Sequence, residues 1–353
     1  MKKTISILTI LFYFLYFIGT NVYASTVDTP PSIVGQAAIV MDVITGEILY
    51  GKNYHTKMEP ASTTKIMTAI LALEKGRLSD TVISSREPML AEGTRIYLEE
   101  GEKLSLEQVL YGMLLNSGND AAIAIAEHIG GDVPTFVDMM NKKAKEIGAQ
   151  DTNFVNPSGL SDEGHITTAY DLALISRYAI QNFPEFRKIV STKTATIPWM
   201  AKEWDRELVN LNKLLWNYDG ADGVKTGYTS KAGYTLVASA TRDDWQLVAV
   251  VLKSNGQAVF QDSQILLDYV FENFEKRELI KEGVLISSEE VKYGEPIEIV
   301  SKEALTVVVP KDSSTITQKT VINPDITAPI NKGDVLGQLE FYHEGKKLGT
   351  VPL

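Results

Sequence analysis

Strand-like sequence at two distant places encloses a long block of helical periodicity in this chain. Four segments have the composition of strands: residues 37–43, 47–50, 234–240 and 246–252. Helical patterns fill most of the sequence between the second and third segments, up to about residue 181, and a further helix is predicted over 259–274. This order predicts an α+β fold, in which helices flank one antiparallel sheet and the helical block is inserted between its early and late strands.

Specific residues mark the turns and one helix start within this framework. Thr45-Gly46 joins the first two strands, and Arg242-Asp243-Asp244 joins the last two. The clearest helix begins at Ser105, where Gln108 completes a capping box. Apolar side chains follow at helical spacing on one face: Leu106, Val109, Leu110, Met113 and Leu114. That face must pack on a core.

The pattern changes beyond about residue 275. Short strand-like runs at 297–300, 305–309 and 335–341 alternate with the turn signals Tyr293-Gly294, Lys332-Gly333 and Glu344-Gly345. Such an alternation is typical of a small all-β unit. We therefore expect a main domain over residues 25–275 and a small all-β domain over 276–353.

The first residues have the layout of a secretory signal peptide. Lys2 and Lys3 precede an apolar stretch over residues 5–18, and the small-residue ending Val22-Tyr23-Ala24 follows. The apolar stretch is shorter than the roughly 20 residues that a membrane span requires. We therefore expect residues 1–24 to be cleaved after Ala24 and the protein to act outside the cytoplasm, at the cell wall or the outer face of the membrane.

Composition excludes several classes of function. The formal net charge is -11, from 45 acidic and 34 basic residues, and no run of Lys and Arg could neutralise a nucleic-acid backbone. The chain has no cysteine, so it has neither disulfides nor thiol chemistry. The histidines show no metal-binding spacing: His55, His128, His165 and His343. We expect no metal, no cofactor and no nucleic-acid partner.

Ser62 and Lys65 are the first candidates for catalysis. They stand three residues apart at the head of an apolar helical run, so both side chains project from one face. A buried lysine with a lowered pKa can take the proton of a serine hydroxyl, and the positive end of a helix can stabilise an oxyanion. The spacing alone is weak evidence, because it arises by chance about once in such a chain and also suits a serine that caps a surface helix.

Two further tripeptides strengthen this interpretation. Ser117-Gly118-Asn119 is a polar turn between apolar helices, which by itself is typical of a helix connector. Lys225-Thr226-Gly227 precedes the late strands on a predicted exposed strand edge, where a cation and a hydroxyl could hold a carboxylate and the glycine could let substrate backbone approach. Each pattern occurs once, in the order Ser-x-x-Lys, Ser-x-Asn, Lys-Thr-Gly, and their joint chance occurrence is very improbable.

With these motifs the sequence resembles the penicillin-recognising serine enzymes, specifically the low-molecular-mass penicillin-binding proteins of the D-alanyl-D-alanine carboxypeptidase family. The resemblance covers nearly the whole chain after residue 24. It includes the stretches around the motifs, the tail and one further segment, Asn156-Pro157-Ser158-Gly159-Leu160.

The resemblance implies a catalytic role for three residues. Ser62 attacks the D-Ala-D-Ala carbonyl, Lys65 takes its proton, and Ser117 relays a proton to the leaving D-alanine. The implied substrates are peptidoglycan stem peptides, and β-lactam antibiotics are implied inhibitors that acylate the same serine.

The resemblance also implies the substrate-binding residues. Asn119 would hold the substrate amide, Lys225 and Thr226 would bind the terminal carboxylate, and Gly227 would leave room for substrate backbone. The backbone N–H groups of the nucleophile and of Tyr228 would form the oxyanion hole.

Two departures from the family pattern stand out. Val259 occupies the place where relatives commonly carry an arginine before the last helix of the main domain, so carboxylate binding would rest more on Lys225. Relatives commonly end in an amphipathic membrane helix, whereas this sequence stops at Leu353. From the sequence we expect no membrane anchor.

Three alternatives share some of these features. A class A β-lactamase needs a glutamate and an asparagine after the middle motif, but residues 159–171 contain only Glu163 followed by Gly164-His165-Ile166. A peptidoglycan endopeptidase would use the same catalytic groups, and a non-catalytic wall-binding protein would be free to lose them. His165 and Asp171 border the expected active site, where we expect at most a supporting role.

Overall fold

The computed structural model describes residues 29–313 and 315–353. In chain order the first part contains β1 (Ala37–Asp42), β2 (Ile48–Lys52), a 3-10 helix (Ala61–Thr64), α1 (Lys65–Lys75), β3 (Thr81–Ile83), α2 (Arg86–Met89), β4 (Lys103–Ser105), α3 (Leu106–Leu115), α4 (Asn119–Gly130), α5 (Val133–Ile147), α6 (Ala169–Asn182) and α7 (Pro184–Ser191). The predicted signal peptide and its cleavage after Ala24 lie outside the described residues.

The second part returns to strands. It contains β5 (Thr194–Ile197), β6 (Arg206–Val209), α8 (Leu214–Asn217), β7 (Ala221–Thr229), β8 (Gly233–Arg242), β9 (Trp245–Ser254) and α9 (Ala258–Asn273). The strands β10 (Phe274–Ile280), β11 (Leu285–Glu289), β12 (Ile297–Val300), β13 (Leu305–Pro310), β14 (Ile316–Ile322), β15 (Gly337–His343) and β16 (Lys346–Pro352) follow.

The central sheet joins the two ends of the main domain. Its strand order is β2-β1-β9-β8-β7, and neighbouring strands are antiparallel. Ile39 of β1 lies opposite Val250 of β9, although the helical block separates them in sequence. The predicted α+β fold with an inserted helical block is confirmed.

Both faces of this sheet are covered, which explains the apolar sequence of β1 from Ala37 to Met41. Ile39 and Met41 face the core formed with the helical block, whereas Ala38 and Val40 face a second core that includes residues of α9. A strand buried on both faces needs apolar residues at every position rather than at alternate ones. Within the helical block, α1 is buried along most of its length. The 3-10 helix that directly precedes α1 is therefore held in place.

The capping box predicted at the start of α3 is confirmed. Ser105 Oγ accepts a hydrogen bond from the Gln108 backbone at 3.2 Å, and Gln108 Oε1 accepts one from the Ser105 backbone at 2.8 Å. These two bonds satisfy backbone donors that a helix start otherwise leaves free. The cap fixes where α3 begins. The last turn of α3 leads into the polar turn at Ser117.

A small all-β domain follows α9, as predicted. Strands β10 and β13 pair, β11 and β12 pair, and β14, β15 and β16 form a three-stranded sheet around a separate apolar cluster. Strand β10 begins directly after α9, so the boundary expected after residue 275 lies close to this junction. In the described part of the chain, no helix is both long enough and apolar enough to cross a bilayer.

Candidate active site

Ser62 lies in the short 3-10 helix that leads directly into α1, and Lys65 is the first residue of α1. The three-residue spacing therefore brings the two side chains to one face, as predicted. The Oγ atom of Ser62 lies 3.0 Å from the Nζ atom of Lys65. This distance is short enough for direct proton transfer between a hydroxyl and an amine.

Lys65 is completely buried, with an exposed fraction of 0%. Besides Ser62, its Nζ atom contacts Asn119 Oδ1 at 2.6 Å and the backbone oxygen of Ser158 at 2.5 Å. Burial holds the pKa of Lys65 well below its usual value, and the nearby Lys225 lowers it further, while Asp120 acts in the opposite direction. The neutral amine is thereby favoured.

The partners of Lys65 also determine where its lone pair points. A neutral amine has two hydrogens, and the oxygens of Asn119 and Ser158 can only accept. When both hydrogens are directed to these oxygens, the lone pair is left for the Ser62 hydroxyl, which then donates to Nζ. The site is thus arranged for Ser62 to lose its proton to Lys65.

Ser117 supplies a second hydroxyl to the wall of the same cavity. It lies between α3 and α4, in the turn that the sequence predicted, and its φ angle is 62°. A residue other than glycine in this left-handed region costs on the order of 1–3 kcal/mol, which the surrounding packing must offset. The backbone N–H of the following Asn119 is anchored to Thr94 O at 2.7 Å, which helps to hold the turn.

Asp120 organises the wall beside Ser117, a role that the sequence analysis missed. Its buried carboxylate accepts backbone hydrogen bonds from Ile96 at 3.0 Å and from Leu98 at 3.1 Å. Burial raises the pKa of Asp120, although these hydrogen bonds oppose the increase. The only sequence signal for this role was its position directly after the Ser-x-Asn motif.

The Lys-Thr-Gly motif lies on β7, which is an edge strand as expected. The lysine of this motif is nevertheless buried. Lys225 is 1% exposed, and its Nζ donates to the backbone oxygen of Thr226 at 3.0 Å. Burial lowers the pKa of Lys225 to about 7. The Lys225 side chain is buried and lies near enough to Lys65 to lower its pKa, whereas Thr226, Gly227 and Tyr228 line the cavity.

Gly227 is required where β7 passes Ser62. A Cβ atom at this position would lie 2.3 Å from Thr235 Oγ1 and 2.9 Å from the backbone nitrogen of Ser62. Only glycine permits this approach without displacement of a neighbour. The Ser62 N–H belongs to the first turn of a helix, where donors lack intrahelical partners, so it is available beside the N–H of Tyr228.

A cavity of about 460 Å³ brings several of these groups together. Its wall includes five of the predicted site residues, namely Ser62, Ser117, Thr226, Gly227 and Tyr228, and also Val259 in the first turn of α9. Lys65, Asn119 and Lys225 are buried and are not among the lining residues, but Lys65 contacts Ser62 directly. A larger cavity of about 640 Å³ in the C-terminal domain contains no serine–lysine pair among its described lining residues.

His165 and Gly159 hold the nucleophile segment from outside the cavity. The buried His165 accepts a hydrogen bond at Nδ1 from the Val155 backbone at 2.9 Å, so its Nε2 carries the hydrogen toward Thr64 Oγ1 at 2.8 Å. Burial lowers the pKa of His165 to about 4, which keeps the ring neutral. A Cβ atom at Gly159 would lie 1.9 Å from Ala61 O. These contacts position Ser62 rather than react.

Asp171 likewise has a bracing role. Its carboxylate accepts hydrogen bonds from the Thr152 hydroxyl at 2.7 Å and from the Asp151 backbone at 2.8 Å. The cap of α6 is Thr168, whose hydroxyl accepts from the Asp171 backbone at 3.0 Å. In the described ranges, no group of three His, Cys, Asp or Glu side chains could hold a metal ion.

Two family comparisons match this architecture. Residues 24–256 match the D-alanyl-D-alanine carboxypeptidase family, and residues 274–353 match the C-terminal domain of penicillin-binding protein 5. The chain belongs to the D-alanyl-D-alanine carboxypeptidase family. The membership predicted from the three motifs is therefore confirmed, together with the penicillin-recognising fold and the C-terminal β domain.

Relatives in this family are similar over most of the chain. D-alanyl-D-alanine carboxypeptidase DacF of Bacillus subtilis is 36% identical over 331 residues, which cover 90% of this chain and 84% of that protein. D-alanyl-D-alanine carboxypeptidase DacC of Escherichia coli is 33% identical over 359 residues, which cover 96% of this chain and 88% of that protein. The crystal structure of penicillin binding protein 5 from Haemophilus influenzae matches with a TM-score of 0.81 at 32% identity, covering 92% of this chain and 97% of that one.

Proposed function

We propose that this chain is a serine-type D-Ala-D-Ala carboxypeptidase, which removes the terminal D-alanine from peptidoglycan stem peptides through an acyl-Ser62 intermediate. The observation that carries the proposal is the 3.0 Å separation of Ser62 Oγ and Lys65 Nζ beside the cavity of about 460 Å³. A cavity of this size is within the range that holds small ligands, and a dipeptide end is a small ligand. Family membership supports the same substrate.

In the acylation step, Ser62 attacks the carbonyl carbon of the terminal peptide bond while its proton moves to Lys65. The oxyanion that forms is stabilised by the backbone N–H groups of Ser62 and Tyr228. The carbon–nitrogen bond then breaks, and the leaving amine of D-alanine takes up a proton relayed by Ser117. The products of this step are free D-alanine and an ester on Ser62.

In the deacylation step, water attacks the ester. A proton of the water moves to the basic groups of the site, the bond to Ser62 Oγ breaks, and the serine recovers its proton. The net reaction adds one water across the D-Ala-D-Ala bond. A β-lactam would acylate Ser62 in the same way, because opening its ring is an acyl transfer to the serine.

The other residues of the site hold the substrate. Thr226 lines the cavity, Lys225 is buried beside it in the chain, and we propose that this pair acts on the terminal carboxylate. Asn119 has one amide hydrogen and one lone pair left after its contacts with Lys65 and Glu92, so it can still reach the substrate amide. Gly227 leaves space for substrate backbone.

We also propose that the protein is exported. The basic start, the apolar stretch over 5–18 and the Val22-Tyr23-Ala24 ending support cleavage after Ala24. The main domain over 25–275 would then carry the reaction outside the cytoplasm, and the β domain over 276–353 would accompany it. Peptidoglycan, the proposed substrate, is located there.

Two assays on the purified protein test the proposal. One measures D-alanine released from a peptide that ends in D-Ala-D-Ala, and the other follows a fluorescent penicillin on a denaturing gel. A carboxypeptidase releases D-alanine and retains the label. Rapid hydrolysis of the penicillin without D-alanine release would identify a β-lactamase, and neither signal would identify a non-catalytic wall-binding protein. A cross-linked peptide without a free D-Ala-D-Ala end tests for endopeptidase activity.

A further inference from the structure

The cavity beside Ser62 has a distinctive distribution of charge. Among the described residues that line it, Lys213 is the only one with a charged side chain. Lys225, the cation of the Lys-Thr-Gly motif, is 1% exposed and directs its Nζ atom to a backbone oxygen. Lys213 is therefore the lining side chain whose charge attracts a negatively charged group that enters this cavity.

Lys213 is held in place by its neighbours in sequence. Asn210 and Asn212 are buried, whereas Leu211 and Lys213 are exposed, so the segment alternates between inward amides and outward side chains. Asn212 Nδ2 donates to the backbone oxygen of Gly223 at 2.7 Å, which ties the segment to β7. A backbone anchored by buried amides presents the lysine from a fixed position rather than from a mobile loop.

The same segment is anchored on its other side as well. The backbone N–H of Leu211 donates to Leu115 O at 3.3 Å, at the end of the helix that precedes Ser117. Leu211 and Lys213 thus lie between the Ser117 turn and β7, two of the elements that form the cavity wall. The location of Lys213 follows from both anchors.

The charge of Lys213 is available to a ligand. Within residues 29–313 and 315–353, no acidic side chain forms an ion pair with it, and its Nζ atom lies 5.7 Å from the ring centroid of Phe260, which also lines the cavity. The lysine also borders a second depression lined by the amides of Gln257, Gln261 and Gln264, which carry no charge. Nothing in this environment neutralises the ammonium group.

We propose that Lys213 adds a charged contact to the free carboxylate at the end of the substrate, beside that of Thr226, and so makes the enzyme selective for peptides with an uncapped C-terminus. The inference rests on the proposed function, because it assumes that the scissile carbonyl lies at Ser62. The terminal carboxylate is one residue beyond that carbonyl, and one residue spans only about 3.8 Å. The group that recognises it must therefore project into the same cavity, as Lys213 does.

The test compares two peptides that differ only at the C-terminus, one ending in D-Ala-D-Ala and the other in its amide. Lys213→Ala should lower kcat/KM for the acid on the order of tenfold and leave the amide nearly unchanged, because only the acid loses a charge-assisted contact. Lys213→Gln should behave like Lys213→Ala, and Lys213→Arg should keep the preference for the acid. Added salt should reduce this preference in the parent protein more than in Lys213→Ala.

Lys142→Ala is the matched control, because it removes one exposed positive charge from α5, outside the cavity, and should keep the preference. The inference is wrong if the parent protein is active but Lys213→Ala keeps the ratio of kcat/KM for the acid to kcat/KM for the amide. It is also wrong if the substitution lowers kcat/KM for both peptides equally. An unchanged ratio would assign carboxylate recognition to Lys225 and Thr226. A parent protein that releases product from neither peptide would instead contradict the proposed function itself.

Discussion

The Oδ1 atom of Asn119 lies 2.6 Å from the Nζ atom of Lys65, and the other end of the same amide fixes this orientation. Asn119 Nδ2 donates to the backbone oxygen of Glu92 at 2.7 Å. Because that oxygen can only accept, the amide nitrogen must face it and the amide oxygen must face the lysine. Asn119 therefore directs a hydrogen of Lys65 away from Ser62.

Replacement of this amide by a carboxylate should change the pH dependence of the reaction. In Asn119→Asp a negative charge contacts Lys65, which stabilises its protonated form and raises its pKa. The proton acceptor is then lost at neutral pH, so kcat/KM should fall at least tenfold there and recover at higher pH. Initial rates of D-alanine release between pH 5 and pH 10 measure this. Asn182→Asp, an identical change at an exposed position, should leave the profile unchanged.

The buried Lys225 should influence the same pH profile through its charge. Its charge lowers the pKa of Lys65, so Lys225→Met should raise that pKa and move the rise of activity to higher pH. The effect should be greatest below pH 7, where Lys225 itself carries its proton, since its pKa is about 7. The pH profile of penicillin acylation measures the shift. A profile that moves to lower pH would contradict this coupling.

The same substitution should increase stability. The pKa of Lys225 is about 7 in the folded state, below the unfolded value of about 10.4. Its burial therefore costs stability progressively as pH falls from about 10 to 7, and the full cost applies below pH 7. Lys225→Met removes this cost, so the gain in Tm should be larger at pH 6 than at pH 10. An equal gain in Tm at both pH values would mean that the pKa of Lys225 is the same in the folded and unfolded states.

The sequence predicted the architecture because its signals are local. The capping box at Ser105 and the strand predicted over 37–43 depend on neighbouring residues, and the structure has both, the strand as β1. Strand β14 was missed, because most of its side chains are exposed and the sequence shows no buried alternation. Short strands such as β3 and β5 offer too few residues for a pattern.

The parts of the site that the sequence did not predict depend on distant contacts. Ser158 contributes a backbone oxygen to Lys65, and any residue type could provide that atom. The burial of Lys225 reflects packing behind the sheet edge, which its motif does not reveal. Lys213 reaches the cavity only because Asn212 is bonded to β7, a contact that no spacing in the sequence indicates.

Gly227→Ala should separate the oxyanion hole from the rest of the site. The added methyl group would lie 2.9 Å from the Ser62 nitrogen and closer still to Thr235, so β7 must move away from the nucleophile. Loss of one aligned donor should lower kcat on the order of 100-fold, while the strain should cost about 1–3 kcal/mol of unfolding free energy. Stopped-flow acylation and chemical denaturation measure the two effects.

Gly294→Ala is the matched control for this substitution. Its methyl group would lie 3.1 Å from Val291 Cγ1 in the C-terminal domain, so it should reduce stability slightly without any change in kcat. Normal acylation by Gly227→Ala would show that the approach of β7 to Ser62 is not needed for catalysis.

The most direct test of the account is the labelling of Ser62→Ala by a fluorescent penicillin, together with its D-alanine release. We predict that both signals fall by a factor on the order of a thousand or more, because the attacking oxygen is gone, while Tm stays close to that of the parent protein. Ser62 is only partly buried, so its replacement should not disturb the fold. A folded Ser62→Ala protein that still takes up the label or releases D-alanine would contradict the assignment of Ser62 as the nucleophile.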